Sequence, residues 1–123
     1  EVLGVDFVAV QLRLAMGWSL LEAFGGEVPS PRGHAMQLRI QLTAPPTGPI
    51  TSYRPPTGPG TRVDSGVAAG YTPASAYDPL LLKIITTGAC YDQALGRARR
   101  AVRQLRVGGL ATNAGRVAHA LHR

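Results

Sequence analysis

Apolar and polar residues alternate with a period of two over residues 34–42. The apolar members of this run are Met36, Leu38, Ile40 and Leu42. Because strict alternation is typical of a β-strand with one buried face, we predict a strand here. Further strands are predicted at 50–54, 61–67 and 80–87, and we expect all four to form one antiparallel sheet. The run at 80–87 is so apolar that both of its faces should be covered. The run at 50–54 lies among six of the ten prolines, which favours an edge strand.

The apolar period changes to that of a helix after Gly88. This change predicts an amphipathic helix at about 93–106, with Asp92 as its N-cap and Gly108 and Gly109 ending it. Its inward stripe should contain Ala94, Leu95, Ala98, Ala101, Val102 and Leu105, while most of its arginines lie on the solvated side. Asn113 should cap a short last helix, whose inward residues are Val117, Ala118 and Leu121.

A first helix is predicted from its N-cap, Asp6, to about Met16, with an added turn at 18–21 and a loop at 25–33. Because this helix is apolar on nearly every side, it should be largely buried, and it should expose apolar surface where a covering partner is missing. The order is therefore one helix, an antiparallel sheet of three to four strands, and two C-terminal helices. This order indicates an α+β fold in a single domain.

Composition narrows the class of protein. The chain has 123 residues and a net charge of +6, and 12 of its 13 basic residues are arginines. Seven of these arginines lie at 97–123, which leaves open a non-catalytic interaction module whose basic helix (93–106) binds an acidic protein or nucleic acid. A single cysteine, Cys90, excludes an intrachain disulfide and favours a reducing, cytoplasmic location. The chain begins at Glu1 without a methionine, and we expect it to be a fragment or a processed piece.

Candidate chemistry centres on Arg62, a charged residue inside a strand-like run. We interpret His119 and His122 as solvent-facing and His34 as the start of a strand, so no metal site is predicted. Asp78 should accept backbone hydrogen bonds at the entry to the strand at 80–87. Lys83 lies inside that apolar strand and needs a partner, for which Asp64 and Asp78 are the candidates. The alternative for Arg62 is a structural ion pair with one of the same two carboxylates.

An ordered series of short segments covers nearly the whole chain. Its members are Gly4-Val5-Asp6, Gln11-Leu12-Arg13, Ala15, Gly17, Arg32-Gly33-His34-Ala35, Arg39-Ile40, Ile50-Thr51, Tyr53-Arg54-Pro55, Gly60, Arg62-Val63-Asp64-Ser65, Gly70-Tyr71, Tyr77-Asp78, Leu80-Leu81, Lys83, Ala94, Arg99, Ala101, Leu105 and Thr112-Asn113. The series resembles the C-terminal subdomain of biotin carboxylases. These are the ATP-grasp enzymes of biotin-dependent acyl-CoA, pyruvate and urea carboxylases.

The resemblance implies that residues 1–123 are this subdomain, that residues 1–24 are the tail of the ATP-grasp region, and that the rest of the ATP-grasp half is absent. It implies that Arg62 is catalytic and faces the biotin ureido ring and bicarbonate. Biotin would arrive on a carrier domain, and ATP and Mg would bind through the missing region, so this chain alone should be inactive. The implied partners are the ATP-grasp region, the biotin carboxyl carrier domain and a carboxyltransferase, in an oligomer. The residues themselves argue against two other partners: no apolar run is long enough to span a membrane, and the arginine helix carries few aromatic or polar side chains that could read bases.

The chain departs from the family pattern in the segment around its first strand. Gln37 stands where the family usually has a glutamate, and Gln41-Leu42-Thr43-Ala44 replaces an Asn-Ala-Glu type of run. The stretch between Ile40 and Pro46 is also shorter than in the family. We therefore expect a remodelled loop at 41–46.

Overall fold

A computed structural model describes residues 1–74, 76 and 78–122 of the chain. Tyr77, a member of the resembling segments, and Arg123, the last of the seven C-terminal arginines, lie outside the described residues. The chain divides into two compact units, Glu1–Gly33 and His34–Arg123. The elements in chain order are α1 (Phe7–Ala15), α2 (Leu20–Phe24), β1 (His34–Gln41), β2 (Ser52–Arg54), β3 (Thr61–Ser65), β4 (Leu80–Gly88), α3 (Tyr91–Gln104), β5 (Arg106–Gly108) and α4 (Ala114–Ala120). None of the helices formed by these residues is long and apolar enough to span a membrane.

The N-terminal unit contains α1 and α2. Asp6 caps α1 as predicted, since its Oδ1 accepts hydrogen bonds from the backbone N–H groups of Val8 (3.0 Å) and Ala9 (3.1 Å). The expectation of a largely buried helix is wrong for this chain, because Val10 is the buried residue of α1 whereas Val8 and Met16 are 64% and 74% exposed. The sequence shows that the residues of a helix are apolar, but the helix is buried only where another surface covers it.

The helix α2 replaces the single added turn expected at 18–21. A capping box starts it: the Ser19 hydroxyl accepts from the Glu22 N–H, while Oε2 of Glu22 accepts from the Ser19 N–H at 2.8 Å. The hydrogen bonds from the Ser19 side chain and backbone lower the pKa of the Glu22 carboxyl below its usual value. Gly25, with φ +86°, ends the helix in the left-handed conformation that favours glycine.

A three-stranded antiparallel sheet of spatial order β1-β4-β3 forms the centre of the larger unit. The register joins His34 to Gly88 at one end of the β1–β4 pair, and Thr61 to Thr86 where β3 begins. The predictions of strands at 34–42, 61–67 and 80–87 are confirmed in position, although β3 ends at Ser65. Leu82, Ile84 and Ile85 of β4 are all buried although Ile84 and Ile85 project to opposite faces, so the expectation that both faces of this strand are covered is confirmed for these residues.

The expectation of a fourth strand in this sheet is wrong. β2 pairs instead with β5 in a separate two-stranded antiparallel sheet, in which Tyr53 lies opposite Val107. We did not predict β5, because Gly108 and Gly109 read as a simple stop after the helix. Gly109 is needed at this crossing, since its φ is +86° and a Cβ there would lie 2.8 Å from the carbonyl oxygen of Pro49.

The core of the larger unit lies between the sheet and α3. Its buried members are Leu38, Ile40, Leu42, Leu81, Leu82, Ile84, Ala98, Ala101, Val102 and Leu105. The predicted packing stripe of α3 is therefore confirmed except at Leu95, which is only half-buried. The helix begins at Tyr91, and its N-cap is Cys90 and not Asp92. Thr86, a buried polar residue beside this core, donates from Oγ1 to the carbonyl oxygen of Ala94 (3.1 Å).

The last helix, α4, is attached to the sheet by Asn113. This residue precedes α4 as predicted, but its side chain makes no cap hydrogen bond. Oδ1 of Asn113 instead accepts from the Gln41 N–H (2.9 Å), and Nδ2 donates to the Arg39 carbonyl oxygen (3.1 Å). Val117, Ala118 and Leu121 pack against the core as expected.

Candidate functional site

The face of the three-stranded sheet that lies opposite the core carries charged side chains. In an antiparallel sheet, residues directly opposite each other project to the same face, and successive residues project to opposite faces. Lys83 lies opposite Arg39 on one side and opposite Asp64 on the other, whereas the neighbouring Ile84 belongs to the core. Arg62 lies opposite Ile85, two residues from Lys83, and so projects to the same face.

Arg62 is placed by β3 and by the turn that precedes it. Gly60, with φ +64°, makes this turn, and a Cβ there would lie 2.9 Å from the Thr87 carbonyl oxygen. Nη2 of Arg62 lies 3.4 Å from Oδ2 of Asp64, and the two side chains are 58% and 47% exposed. The ion pair that was the alternative interpretation of Arg62 is therefore present. At this exposure the ion pair contributes little to stability.

A second ion pair lies on the same side of the sheet. Nη2 of Arg39 is 4.0 Å from Oδ2 of Asp78, and Oδ1 of Asp78 accepts from the Leu80 N–H at 2.8 Å, as expected for the strand entry. The expectation that Asp64 or Asp78 pairs with Lys83 is wrong for the described residues, because each carboxylate is paired with an arginine. Lys83 is half-buried between Arg39 and Asp64 in the register.

Three cations and two carboxylates thus share this face, which has an excess of positive charge. A cleft of about 390 Å³ adjoins it, lined by the turn after β3, the 71–74 segment and the first half of β4, including Asp64, Ser65, Tyr71 and Lys83. We singled out Arg62 from sequence but did not place Arg39 and Lys83 beside it. Arg39 and Lys83 are each next in sequence to a core residue, Leu38 and Ile84, so each should project to the face opposite the core. Only the strand register shows that the two cations lie beside each other.

The arginines of α3 are used inside the chain. Nε of Arg99 donates to the Leu121 carbonyl oxygen (2.7 Å), Nη2 of Arg100 donates to that of Pro59 (3.4 Å), and Nη1 of Arg97 donates to that of Thr87. All three are half-buried, so the expectation of a solvated arginine face is wrong for them. Guanidinium groups that tie helices, strands and loops together are poorly placed to follow a nucleic-acid backbone.

The histidines form no metal centre with other described residues. His119 and His122 are exposed as predicted, and His34 starts β1, with its ring 6.5 Å from that of Tyr91. The described residues contain no group of three or more His, Cys, Asp or Glu side chains that could hold a metal ion.

Comparison with known proteins gives a consistent result for most of the chain. Residues 40–123 match the family model described as the biotin carboxylase C-terminal domain. Among curated proteins, the biotin-dependent acyl-coenzyme A carboxylase alpha3 subunit of Mycobacterium leprae is 42% identical over 118 residues, which cover 91% of this chain and 19% of that protein. The biotin carboxylase of Pseudomonas aeruginosa is 41% identical over 117 residues, covering 91% of this chain and 26% of that protein.

Solved structures show the same fold. A complete multifunctional pyruvate carboxylase from Rhizobium etli superposes with a TM-score of 0.86 at 30% identity, covering 99% of this chain and 13% of that one. The biotin carboxylase domain of a single-chain bacterial carboxylase superposes with a TM-score of 0.83 at 34% identity, covering 98% of this chain and 29% of that one. The chain therefore spans about a fifth to a quarter of the length of the curated relatives described above. These comparisons give no support to a non-catalytic interaction module.

Proposed function

The chain belongs to the biotin carboxylase family, as a C-terminal domain, and from this premise we propose that it serves the carboxylation of biotin in a biotin-dependent carboxylase. We further propose that residues 1–24 are the tail of an ATP-grasp region, which supplies the remainder of the active site. The observation that carries the proposal is Arg62, held on the charged face of the sheet beside Asp64, within the segment that matches the family.

Arg62 suits the stabilisation of negative charge on the biotin ureido oxygen. A guanidinium presents a planar fork of donors and keeps its charge at any physiological pH. Because Asp64 contacts Nη2, and β3 and Gly60 fix the backbone, the group is oriented before a ligand arrives. A donor that is already in place when charge develops is the arrangement that stabilises oxyanions most effectively.

The residues of this face fit a group that gains negative charge and a bicarbonate anion beside it. Arg62 is the residue that would hold the ureido group, while Arg39 and Lys83 give the surrounding surface its positive excess. Biotin, when bound, supplies the ureido nitrogen that accepts the carboxyl group. We assign no ATP or Mg ligand to the described residues and propose that both bind through the ATP-grasp region.

The proposed partners follow from the assignment of biotin to this face and of ATP and Mg to the ATP-grasp region. A carrier domain would bring biotin to Arg62, and a carboxyltransferase would choose the final acceptor. We propose that the complete enzyme is an oligomer. We also propose that it is located in the cytoplasm, because a single free cysteine, Cys90, suits a reducing compartment.

The proposed function is tested with the complete protein that contains this chain. With ATP, Mg and bicarbonate present, its ATP cleavage should rise with the concentration of added biotin and reach saturation. The 123-residue chain, assayed alike, should show no cleavage above background. ATP cleavage by the complete protein that is indifferent to biotin would contradict the proposal.

The isolated chain should associate through its N-terminal unit. Exposed apolar side chains are concentrated there, including Phe7, Val8, Leu12, Met16, Trp18, Leu20 and Leu21. Large exposed apolar patches commonly mark interfaces. We expect the chain to bind a hydrophobic dye and to sediment as more than a monomer at high concentration. Leu12→Gln and Met16→Gln should reduce both signals, whereas Gln11→Ala, an exposed change on the same helix, should not. A monodisperse monomer without dye binding would contradict this prediction.

A further inference from the structure

A second basic site lies at the C-terminal end of α3, away from the charged sheet face. It is a cleft of about 260 Å³ lined by Arg54, Pro55, Thr57, Arg103, Gln104 and Arg106. All three arginines are exposed, and no carboxylate of the described residues lines the cleft. The cleft therefore concentrates positive charge in a small concave space.

The register of the two-stranded sheet brings two of these positive charges close together, which lowers the stability of the sheet. Arg54 of β2 lies directly opposite Arg106 of β5, so the two side chains project to the same face. Like charges in such a pair repel and destabilise the ladder. The ladder is only three residue pairs long, which leaves little to offset the repulsion. An anion between the two guanidinium groups would convert this repulsion into attraction.

Hydrogen bonds to other described residues engage one nitrogen of the Arg106 guanidinium group. Its Nη1 donates to the carbonyl oxygens of Arg103 (2.6 Å) and Leu105 (2.8 Å), where a cation is favourable near the end of a helix. Arg106 is therefore fixed at the edge of the cleft. The guanidinium groups of Arg54 and Arg103 make no hydrogen bond or ion pair with another described residue.

The side-chain carboxylates that the structure describes in the larger unit lie away from this cleft. Asp64 pairs with Arg62 and Asp78 pairs with Arg39, while Asp92 lies in the first turn of α3, at the opposite end of the helix from Arg103. None of these three carboxylates therefore neutralises the arginines of the cleft. An anion that neutralises the cleft would therefore come from outside this part of the unit.

We propose that this cleft binds a phosphate group. Arginine forks match phosphate oxygens in bidentate geometry, and charge-assisted hydrogen bonds of this kind are about twice as strong as neutral ones. The compact cleft suits a phosphate or pyrophosphate better than an extended acidic peptide. A nucleic acid is disfavoured, because Arg97, Arg99 and Arg100 are engaged with carbonyl groups and do not extend the basic surface.

The test is a titration of the 123-residue chain with phosphate, pyrophosphate and ADP, with ionic strength held constant by sodium chloride. Arginine Nε–H resonances of Arg54, Arg103 and Arg106 and the Thr57 amide should shift and saturate. Arg54→Gln and Arg103→Gln should each weaken binding about tenfold or more, since each removes charge-assisted hydrogen bonds. Arg116→Gln, an exposed change on α4 outside the cleft, should keep wild-type affinity. Equal affinities for pyrophosphate and ADP would show that the phosphate moiety alone is recognised, and tighter ADP binding would add a nucleoside to the ligand.

A second readout separates binding from folding. Without phosphate, Arg54→Gln should melt at the same temperature as the wild type or higher, because it removes the repulsion with Arg106. With pyrophosphate, the wild type should gain thermal stability and Arg54→Gln should gain much less. Shifts that do not saturate, an equal loss of affinity in Arg116→Gln, or tighter binding of hexaglutamate than of pyrophosphate would each overturn the proposal.

Discussion

Replacing Arg62 by alanine in the complete enzyme should slow biotin-dependent ATP cleavage by about 10²–10³-fold. The expected loss is that of one preorganised donor to a developing oxyanion, because Arg62 is proposed to contact the ureido oxygen. The nucleotide is proposed to bind through the ATP-grasp region, so ATP affinity should stay nearly unchanged. The measurement is the rate at saturating ATP and biotin, taken beside an independent titration of nucleotide binding.

Further variants distinguish a catalytic arginine from a structural one. Arg62→Lys should also be impaired, since an ammonium keeps the charge but lacks the planar fork of donors. Asp64→Asn should reduce the rate less than Arg62→Ala, because it loosens the guanidinium at Nη2 without removing it. Arg116→Ala should leave both rate and nucleotide affinity unchanged. Wild-type turnover in Arg62→Ala, or a loss of ATP affinity in proportion to the rate, would contradict the catalytic role and favour a structural one.

Truncating Ile84 to alanine should cost about 2–5 kcal/mol of unfolding free energy in the larger unit. Ile84 is 0% exposed and lies at the centre of β4, between Leu38 of β1 and Val63 of β3 in the register. Its neighbours are held by backbone ladders on both sides, so they cannot collapse into the cavity that the truncation leaves. Denaturant unfolding followed by a signal from the larger unit gives the change in stability.

The matched control is Ile84→Val, which removes one methylene group at the same place. We expect it to cost about 0.5–1.5 kcal/mol. If both variants lost the same stability, or if neither moved the midpoint, the packing of α3 on this face of the sheet would be wrong. The slope of the transition should stay constant in all three proteins, because the surface exposed on unfolding hardly changes.

Local patterns predicted the elements whose formation depends on near neighbours. Asp6 begins α1 because its carboxylate reaches N–H groups two and three residues ahead. The alternation at 34–42 and the stripe from Ala94 to Leu105 each identified a buried face. The capping box from Ser19 to Glu22 was also visible in the sequence, and we overlooked it.

The errors concern partners that are far apart along the chain. β2 and β5 are separated by about fifty residues, and neither carries a pattern that names the other. Asn113 bonds Gln41 across 72 positions, and Arg99 bonds Leu121 across 22. Arg39, Lys83 and Asp64 became neighbours only through the register of three strands.

The sequence by itself determined the family resemblance and the α+β order of elements, and it singled out Arg62 as the residue for which we propose a catalytic role. Each rests on the identity of residues and on the spacing of apolar residues along the chain. These features decide local structure because they decide short-range hydrogen bonds and which face of an element is buried. Tertiary structure alone decided which cations surround Arg62, which arginines of α3 are engaged with carbonyl groups, and that Arg54 faces Arg106. These arrangements depend on strand register and chain crossing, because periodicity specifies that a face is buried or exposed but not which distant segment lies against it.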